Sequence, residues 1–286
     1  MFPKLLSYGS FNLPTYGILV ALGFVAGLVV AVRLAQQAGL EKEKVFNLGI
    51  YLALGGMIGA KAFLIFQERD YYWQSPGQIF SIATLQSGGI FHGGLLVALA
   101  VALWYTRRLR LPFLKTADAF APGIALGHSI GRLGCFSAGC CWGKPTDLPW
   151  GVTFTNPYSN ETVGVPLGIS LHPTQLYESA AELAIFVFLY SWYRKKQFDG
   201  QIFGWYLLLY PAARFLIEFL REHSEEAFVW QHIFSDAQAV SAVLMAFAVW
   251  LLWFSTYRHR RLSPAPISHE QPSTHRPRRA AKLSSR

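Results

Sequence analysis

The amino-acid sequence predicts an all-α, polytopic membrane protein with seven transmembrane helices, and three observations lead to this fold class. Hydrophobic residues make up 52% of the 286 residues and charged residues only 14%, against about 25% charged residues in an ordinary soluble domain. The apolar residues are gathered into runs of about 20, the length that crosses a bilayer. The three cysteines are too few for a secreted disulfide framework. Soluble enzymes, disordered proteins and disulfide-rich secreted domains are therefore poor candidates.

Seven apolar segments justify the predicted helices one by one. The first has Pro14 and Tyr16 at its start, a single upstream Lys4 and no small-residue cleavage signal after it. We therefore expect it to remain as a helix and not to be removed as a signal peptide. The segments lie near residues 16–34, 45–66, 88–106, 117–136, 176–193, 202–220 and 237–254.

The connections between these segments differ in charge. The first, third and fifth loops are basic, whereas the even-numbered loops hold few basic residues or balance them with acids. Because loops rich in Lys and Arg stay in the cytoplasm, the sequence predicts a membrane protein with its N-terminus outside and its C-terminus inside. The basic residues of the odd loops are Arg33, Lys42, Lys44, Arg107, Arg108, Arg110, Lys115, Arg194, Lys195 and Lys196.

Two segments outside the predicted spans complete the domain organisation. The connection 137–175 holds five prolines and five glycines and is expected to form an outward-facing loop or small periplasmic head within a transmembrane domain 1–256. The tail 257–286 carries eight Lys or Arg against one acid from Arg258 onward. Its composition predicts a disordered cytoplasmic segment that contacts an anionic leaflet. No nucleic-acid partner is expected, because no aromatic-interleaved fold accompanies these charges.

Ionisable side chains lie inside several predicted spans, where each costs about 2.5–3.5 kcal/mol and usually marks a functional site. His92 begins the third span, Arg132 lies near the end of the fourth, and Arg214 lies in the outer half of the sixth. The predicted topology brings all three to one outer depth. Two guanidinium groups at that depth would suit a lipid phosphate, which Arg binds in bidentate fashion.

Further polar residues accompany this set. Tyr210 and Glu218 are spaced four residues before and after Arg214, so they share one helix face. Gln175 and Tyr177 introduce the fifth span from outside. They are therefore candidate neighbours of the arginines.

The motifs that carry these residues resemble those of the bacterial prolipoprotein diacylglyceryl transferases, in the same order over residues 12–256. Tyr16-Gly17 and Gly59-Ala60-Lys61 are also similar to that family, although Lys61 stands where an Arg is usual. The main motifs are Phe91-His92-Gly93-Gly94-Leu95, Gly131-Arg132-Leu133-Gly134 with Trp142-Gly143 downstream, His172-Pro173-Thr174-Gln175-Leu176-Tyr177-Glu178, and Tyr210 to Glu218 closed by Phe219-Leu220-Arg221.

The resemblance implies transfer of the diacylglyceryl group of phosphatidylglycerol to the lipobox cysteine of a prolipoprotein signal peptide, with release of glycerol phosphate. His92, Arg132 and Arg214 would be the catalytic residues, with the arginines on the phosphate and His92 as a base or hydrogen-bond donor. The resemblance implies no cofactor and no metal. Substrate-binding residues would be Tyr16, Arg132, Gln175, Tyr177, Tyr210, Arg214 and Glu218.

One stretch departs from the family pattern. Cys135, Ala138 and Cys140 occupy positions where the family places Asn, Asn and Glu. A paralogue that acts on another anionic lipid, or a periplasm-facing thiol-redox membrane protein, therefore stays open as an alternative. For the three cysteines, packing in a tight turn, a disulfide and a metal site all remain possible, and zinc is the least favoured because a tetrahedral site needs four ligands.

Overall fold

The computed structural model describes residues 3–8, 11–81, 84, 89–222, 228–230 and 234–262. Helices dominate, and six short strands and two 3-10 turns lie in the connections. In chain order the strands and α-helices are β1 (Lys4–Tyr8), β2 (Phe11–Pro14), α1 (Thr15–Gln37), α2 (Lys42–Gln67), α3 (Arg69–Gln74), α4 (Phe91–Arg108), α5 (Phe113–Ala138), β3 (Val152–Thr153), α6 (Pro157–Val163), β4 (Ser170–Leu171), α7 (Thr174–Trp192), α8 (Gln201–Glu218), β5 (Phe228–Trp230), β6 (Phe234–Ser235) and α9 (Asp236–Leu262).

Each of the seven apolar segments coincides with one long helix. In the described part of the chain, α1, α2, α4, α5, α7, α8 and α9 each have 18 residues or more. By length and composition alone, three of them are apolar enough to cross a membrane, namely Thr15–Gln37, Lys42–Gln67 and Asp236–Tyr257. The chain is therefore mostly helical with candidate membrane-spanning helices.

Two details add to the sequence-based expectation. Three antiparallel two-stranded sheets, β1–β2, β3–β4 and β5–β6, occupy connections of the mostly helical fold. The last helix continues to Leu262, beyond the expected boundary at 256, because no proline occurs before Pro264 and arginines in a last turn favour the helix dipole. The rest of the predicted disordered tail, 263–286, lies outside the described residues.

Close helix packing depends on glycines. Gly23 and Gly27 of α1 face Gly127 and Gly123 of α5, and a Cβ added at Gly27 would lie 2.5 Å from the Gly123 carbonyl oxygen. This arrangement lets two backbones approach, as small residues do in membrane helices. Helices α2 and α4 approach in the same way, since a Cβ at Gly59 would lie 2.5 Å from the Gly93 carbonyl oxygen.

A buried carboxylate fixes one end of the bundle. Asp118 of α5 is fully buried, and its carboxylate accepts hydrogen bonds from Lys196 Nζ at 2.9 Å and from the backbone N–H groups of Gly200 at 2.8 Å and Phe203 at 2.9 Å. The negative charge therefore has both an opposite charge and donors, as a buried ion requires. This contact fixes the α7–α8 connection against α5.

Backbone hydrogen bonds hold the opposite end. Gly143 N donates to His172 O at 3.0 Å, and Lys144 N donates to Leu220 O at 2.8 Å. A Cβ at Gly143 would lie 2.5 Å from Leu220 O, so only glycine fits this crossing. The connection 137–175 is thus tied to the start of α7 and the end of α8, which positions the residues described next.

Candidate active site

An ion pair joins α5 to α7. Arg132 Nη2 donates to Glu178 Oε1 at 2.6 Å, and the exposed fractions of the two side chains are 14% and 4%. Arg132 Nε donates to His128 Nε2 at 3.2 Å, one turn earlier on the same helix. Charge-assisted bonds of this kind fix the plane of a guanidinium group, so Arg132 has a defined orientation.

The contact from Arg132 also assigns the proton on His128. Since Nε2 accepts from Arg132, the neutral ring carries its proton on Nδ1, and that atom lies 2.9 Å from Glu182 Oε1. His128 and Glu182 were not among the sequence-predicted site residues. Their spacing could have revealed them, because His128 precedes Arg132 by four residues and Glu182 follows Glu178 by four.

A second ion pair lies on α8. Arg214 Nη1 donates to Glu218 Oε2, and Glu218 Oε1 accepts a hydrogen bond from Ser235 Oγ at 2.9 Å. Arg221 Nη1 lies 4.0 Å from the same carboxylate. Glu218 is therefore bound from several sides, and it holds the Arg214 side chain, which is 13% exposed.

Tyr210 lies in the electrostatic field of both arginines. It is close enough to Arg132 and Arg214 to interact electrostatically with each. Its ring contacts the His128 ring at 5.2 Å and stacks on Tyr206 with centroids 5.8 Å apart. The expected proximity of the fourth, fifth and sixth apolar segments is thus observed in the described structure.

A turn with three cysteines follows α5 directly. The three sulfur atoms lie within 4.8 Å of one another and all are free thiols. Arg132 Nη1 lies 3.9 Å from Cys135 Sγ. Hydrogen bonds from the thiols of Cys135 and Cys140, followed by the positive charges of Arg221 and Arg132, hold the pKa of Cys141 below its usual range.

The residues that open α7 hold this turn. Thr174 Oγ1 donates to Cys141 O at 2.8 Å, and Gln175 Nε2 donates to Cys140 O at 2.7 Å. Gln175 is only 1% exposed, so its amide supports the cysteine turn in this structure. The hydroxyl of Tyr177 accepts a hydrogen bond from Trp150 Nε1 at 2.8 Å, which links α7 to the connection before it.

Tyr16 and His92 occupy the edges of the cluster. Tyr16 is 43% exposed, packs beside Gly134, and interacts electrostatically with Arg132 and the three cysteines. His92 is exposed in the first turn of α4 and contacts the ring of Phe91. Among the described residues, no hydrogen bond or ion pair joins His92 to either arginine, so its proximity to them stays a prediction.

The cluster combines charges of both signs. Three arginines lie beside three glutamates, and two ion pairs, Arg132–Glu178 and Arg214–Glu218, join them directly. Within the described part of the chain, several of these guanidinium N–H groups have no carboxylate partner, so the site can accept an anion such as a phosphodiester. These six residues are Arg132, Arg214, Arg221, Glu178, Glu182 and Glu218.

Comparison with known proteins places the chain in a family. It is 36% identical over 211 residues to the phosphatidylglycerol–prolipoprotein diacylglyceryl transferase of Finegoldia magna. The aligned residues cover 73% of this chain and 79% of that relative. The enzyme of the same name from Nitratidesulfovibrio vulgaris is 35% identical over 87% of this chain and 93% of its own length. The family model described as prolipoprotein diacylglyceryl transferase matches residues 3–254. The chain therefore belongs to the prolipoprotein diacylglyceryl transferase family.

Proposed function

We propose that this protein transfers the diacylglyceryl group of phosphatidylglycerol to the lipobox cysteine thiol of a prolipoprotein. The thiol sulfur forms a bond to the glyceryl carbon, the carbon–oxygen bond to the phosphate breaks, and glycerol phosphate leaves. The observation that carries the proposal is the pair of arginines, Arg132 and Arg214, near Tyr210 in a chain of this family. The family's curated relatives carry phosphatidylglycerol and prolipoprotein in their names.

The two arginines have the properties that this reaction needs. As the carbon–oxygen bond breaks, negative charge grows on the leaving phosphate, and donors fixed in advance stabilise it in the transition state. Arg132 is held by His128 and Glu178, and Arg214 is held by Glu218. Their guanidinium groups therefore need little reorientation when a phosphate binds, and the planar guanidinium group suits bidentate binding of a phosphate.

The membrane setting is part of the proposal. Seven long helices coincide with the seven apolar segments, and the basic loops favour an outside N-terminus and an inside C-terminus. In that orientation the arginine cluster faces the outer side of the bacterial cytoplasmic membrane, beneath the connection 137–175. An exported signal peptide and a lipid of the same leaflet could both reach it there.

The remaining roles follow from position. His92, at the exposed start of α4, is proposed as the base or hydrogen-bond donor for the incoming thiol, because it is not engaged by the arginine pairs. Tyr16 and Tyr210 would orient the lipid. Gln175 and Tyr177, which hold the cysteine turn and Trp150, would act on the substrate through those neighbours.

A second candidate function rests on the cysteines. They replace polar residues of the family pattern, and their three free thiols lie together beside Arg132. This arrangement favours a paralogue with another anionic-lipid substrate or a thiol-redox protein. Dependence of activity on a reductant would support the redox alternative, and transfer from another anionic lipid would support the paralogue.

Complementation tests the proposal. In bacterial cells depleted of their own transferase, expression of this chain should restore growth and lipidation of a reporter lipoprotein. The Clostridium tetani relative, which is 32% identical over 77% of this chain, is the positive control. Rescue by that relative, combined with no rescue by correctly inserted protein, would contradict the proposal.

A further inference from the structure

Three thiols converge where α5 ends. Cys135 lies in the last turn of the helix, and Cys140 and Cys141 follow it after a left-handed Gly139. The sulfur atoms lie within 4.8 Å of one another, and no disulfide joins them.

The distances fit a metal ion. A Zn–S bond of about 2.3 Å in a tetrahedral site separates two sulfur atoms by about 3.8 Å, so the cluster needs to contract by no more than about 1 Å to bind a metal ion. Thiolates are the ligands that zinc and other thiophilic metals prefer. Among the described residues, no His, Asp or Glu joins the group as a fourth ligand.

The backbone of the turn is fixed independently of any ligand. Cys140 N donates to Cys135 O at 3.1 Å, and the carbonyl groups of Cys140 and Cys141 accept from the side chains of Gln175 and Thr174. Cys141 has a φ of +62°, a conformation that costs a non-glycine residue free energy and that clusters at functional sites. The surrounding contacts therefore hold the three sulfur atoms on one side of the turn.

The surrounding charges also suit an occupied site. A divalent metal with three thiolates carries one net negative charge. Arg132 Nη1 lies 3.9 Å from Cys135 Sγ, and Arg221 interacts electrostatically with Cys141. Donors and cations next to ligating sulfur atoms stabilise such anionic centres.

We propose that Cys135, Cys140 and Cys141 bind one Zn²⁺ ion and leave its fourth coordination position for the thiol of the acceptor peptide. Structural zinc sites use four protein ligands, whereas catalytic zinc sites keep one position open. A ligand set of three cysteines matches the second kind. The binding of zinc is independent of the proposed function, whereas the role of the fourth position rests on it.

The metal would perform the activation that the reaction requires. A thiol that coordinates zinc loses its proton, which would pass to His92, the base of the proposed function, and the bound thiolate is the nucleophile. Its sulfur then forms the bond to the glyceryl carbon, while the electron pair of the breaking carbon–oxygen bond leaves with the phosphate. No atom is oxidised or reduced. The site lies beside Arg132, so the nucleophile and the leaving phosphate would meet across a short distance.

Metal content tests the site directly. The full chain, purified in detergent and given one equivalent of Zn²⁺, should retain close to one zinc per chain after desalting, and Cys140→Ser should retain less than a tenth of that. Ser137→Ala, in the last turn of α5 but outside the cluster, is the matched control and should retain all of it. Co²⁺ in place of zinc should produce a sulfur-to-cobalt charge-transfer band in the unaltered protein.

A second measurement avoids variants that fail to fold. In the unaltered protein, Zn²⁺ should slow alkylation of all three cysteines at least tenfold, and a chelator should restore the fast rate. Equal alkylation rates with and without Zn²⁺, or a native disulfide detected by mass, would overturn the site.

A peptide titration separates the metal site from the proposed transfer. A lipobox peptide added to the cobalt-loaded protein should shift the charge-transfer band, whereas the same peptide with Ser in place of its Cys should not. A bound metal with no peptide shift would overturn the role of the fourth position. A shift without any lipid transfer would leave the metal proposal intact and contradict the proposed function instead.

Discussion

Arg132 Nη2 lies 2.6 Å from Glu178 Oε1 and thereby connects the helix that ends in the cysteine turn to the helix that holds that turn in place. Glu178 is buried and the Arg132 side chain is 14% exposed, so removing one charge leaves the other without its ion-pair partner. The pair stabilises the fold and also lies next to the proposed phosphate site. Its effect on stability and its effect on lipid transfer can be measured separately.

Removing one partner of this pair should destabilise the protein. We expect Glu178→Leu to lower the free energy of unfolding by about 3–5 kcal/mol, because it leaves the Arg132 charge buried without a partner. The double variant Arg132→Met with Glu178→Leu should recover most of that loss but no transfer activity. Thermal unfolding in detergent, together with lipid transfer, checks both. Recovery of activity in the double variant would contradict a phosphate role for Arg132.

Bidentate phosphate binding by the Arg214 guanidinium group can be tested without changing the charge of the side chain. Arg214→Lys should lower transfer by more than tenfold, about 1.4 kcal/mol of barrier, because an ammonium group cannot reproduce a bidentate contact. Arg194→Lys, at the opposite end of the bundle, is the matched control and should transfer at the normal rate. Near-normal rates for Lys variants of both Arg132 and Arg214 would leave these residues only a structural role.

The close contact between α1 and α5 at their glycines predicts that a larger residue there lowers the stability of the protein. A Cβ at Gly27 would lie 2.5 Å from the Gly123 carbonyl oxygen, so Gly27→Ala should force α1 and α5 apart and cost about 1–3 kcal/mol. Gly131→Ala is the control on the same helix pair, since nothing lies within 4 Å of its added Cβ. Unfolding midpoints of the two variants should differ clearly. Equal midpoints would contradict the close packing.

The basic loops predict the orientation of the chain in the membrane. A fluorescent-protein reporter fused after residue 262 should be active, because that end is expected in the cytoplasm, whereas an alkaline phosphatase reporter inserted beside Lys144 should be active only outside. Cleavage by an external protease checks each fusion in intact cells. A tail exposed to the outside would reverse the placement of the arginine cluster.

Sequence periodicity and charge predicted much of the helical fold. All seven apolar segments coincide with long helices, because an uninterrupted run of apolar residues leaves a helix as the structure that satisfies its own backbone groups. The two-stranded sheets were missed. Their strands have only two to five residues, too short for a recognisable alternation, and pairing across a turn depends on tertiary contacts.

The candidate site was predicted in part. The motifs identified Arg132, Tyr210 and Arg214, which the structure brings into one electrostatic neighbourhood. His128 and Glu182 were missed although each lies four residues from a motif residue, because the sequence could not show that His128 Nδ1 lies 2.9 Å from Glu182 Oε1. Gln175 was expected to bind substrate, and the sequence could not show that its side-chain amide donates to the Cys140 carbonyl group.

The most direct test of the central claim is mass spectrometry of a lipobox peptide incubated with the purified protein and phosphatidylglycerol in vesicles. We expect the peptide to gain one diacylglyceryl group on its cysteine sulfur, with an equal amount of glycerol phosphate released and no gain on a peptide with Ser in place of Cys. An unmodified peptide, under conditions in which the Finegoldia magna relative modifies it, would contradict the account.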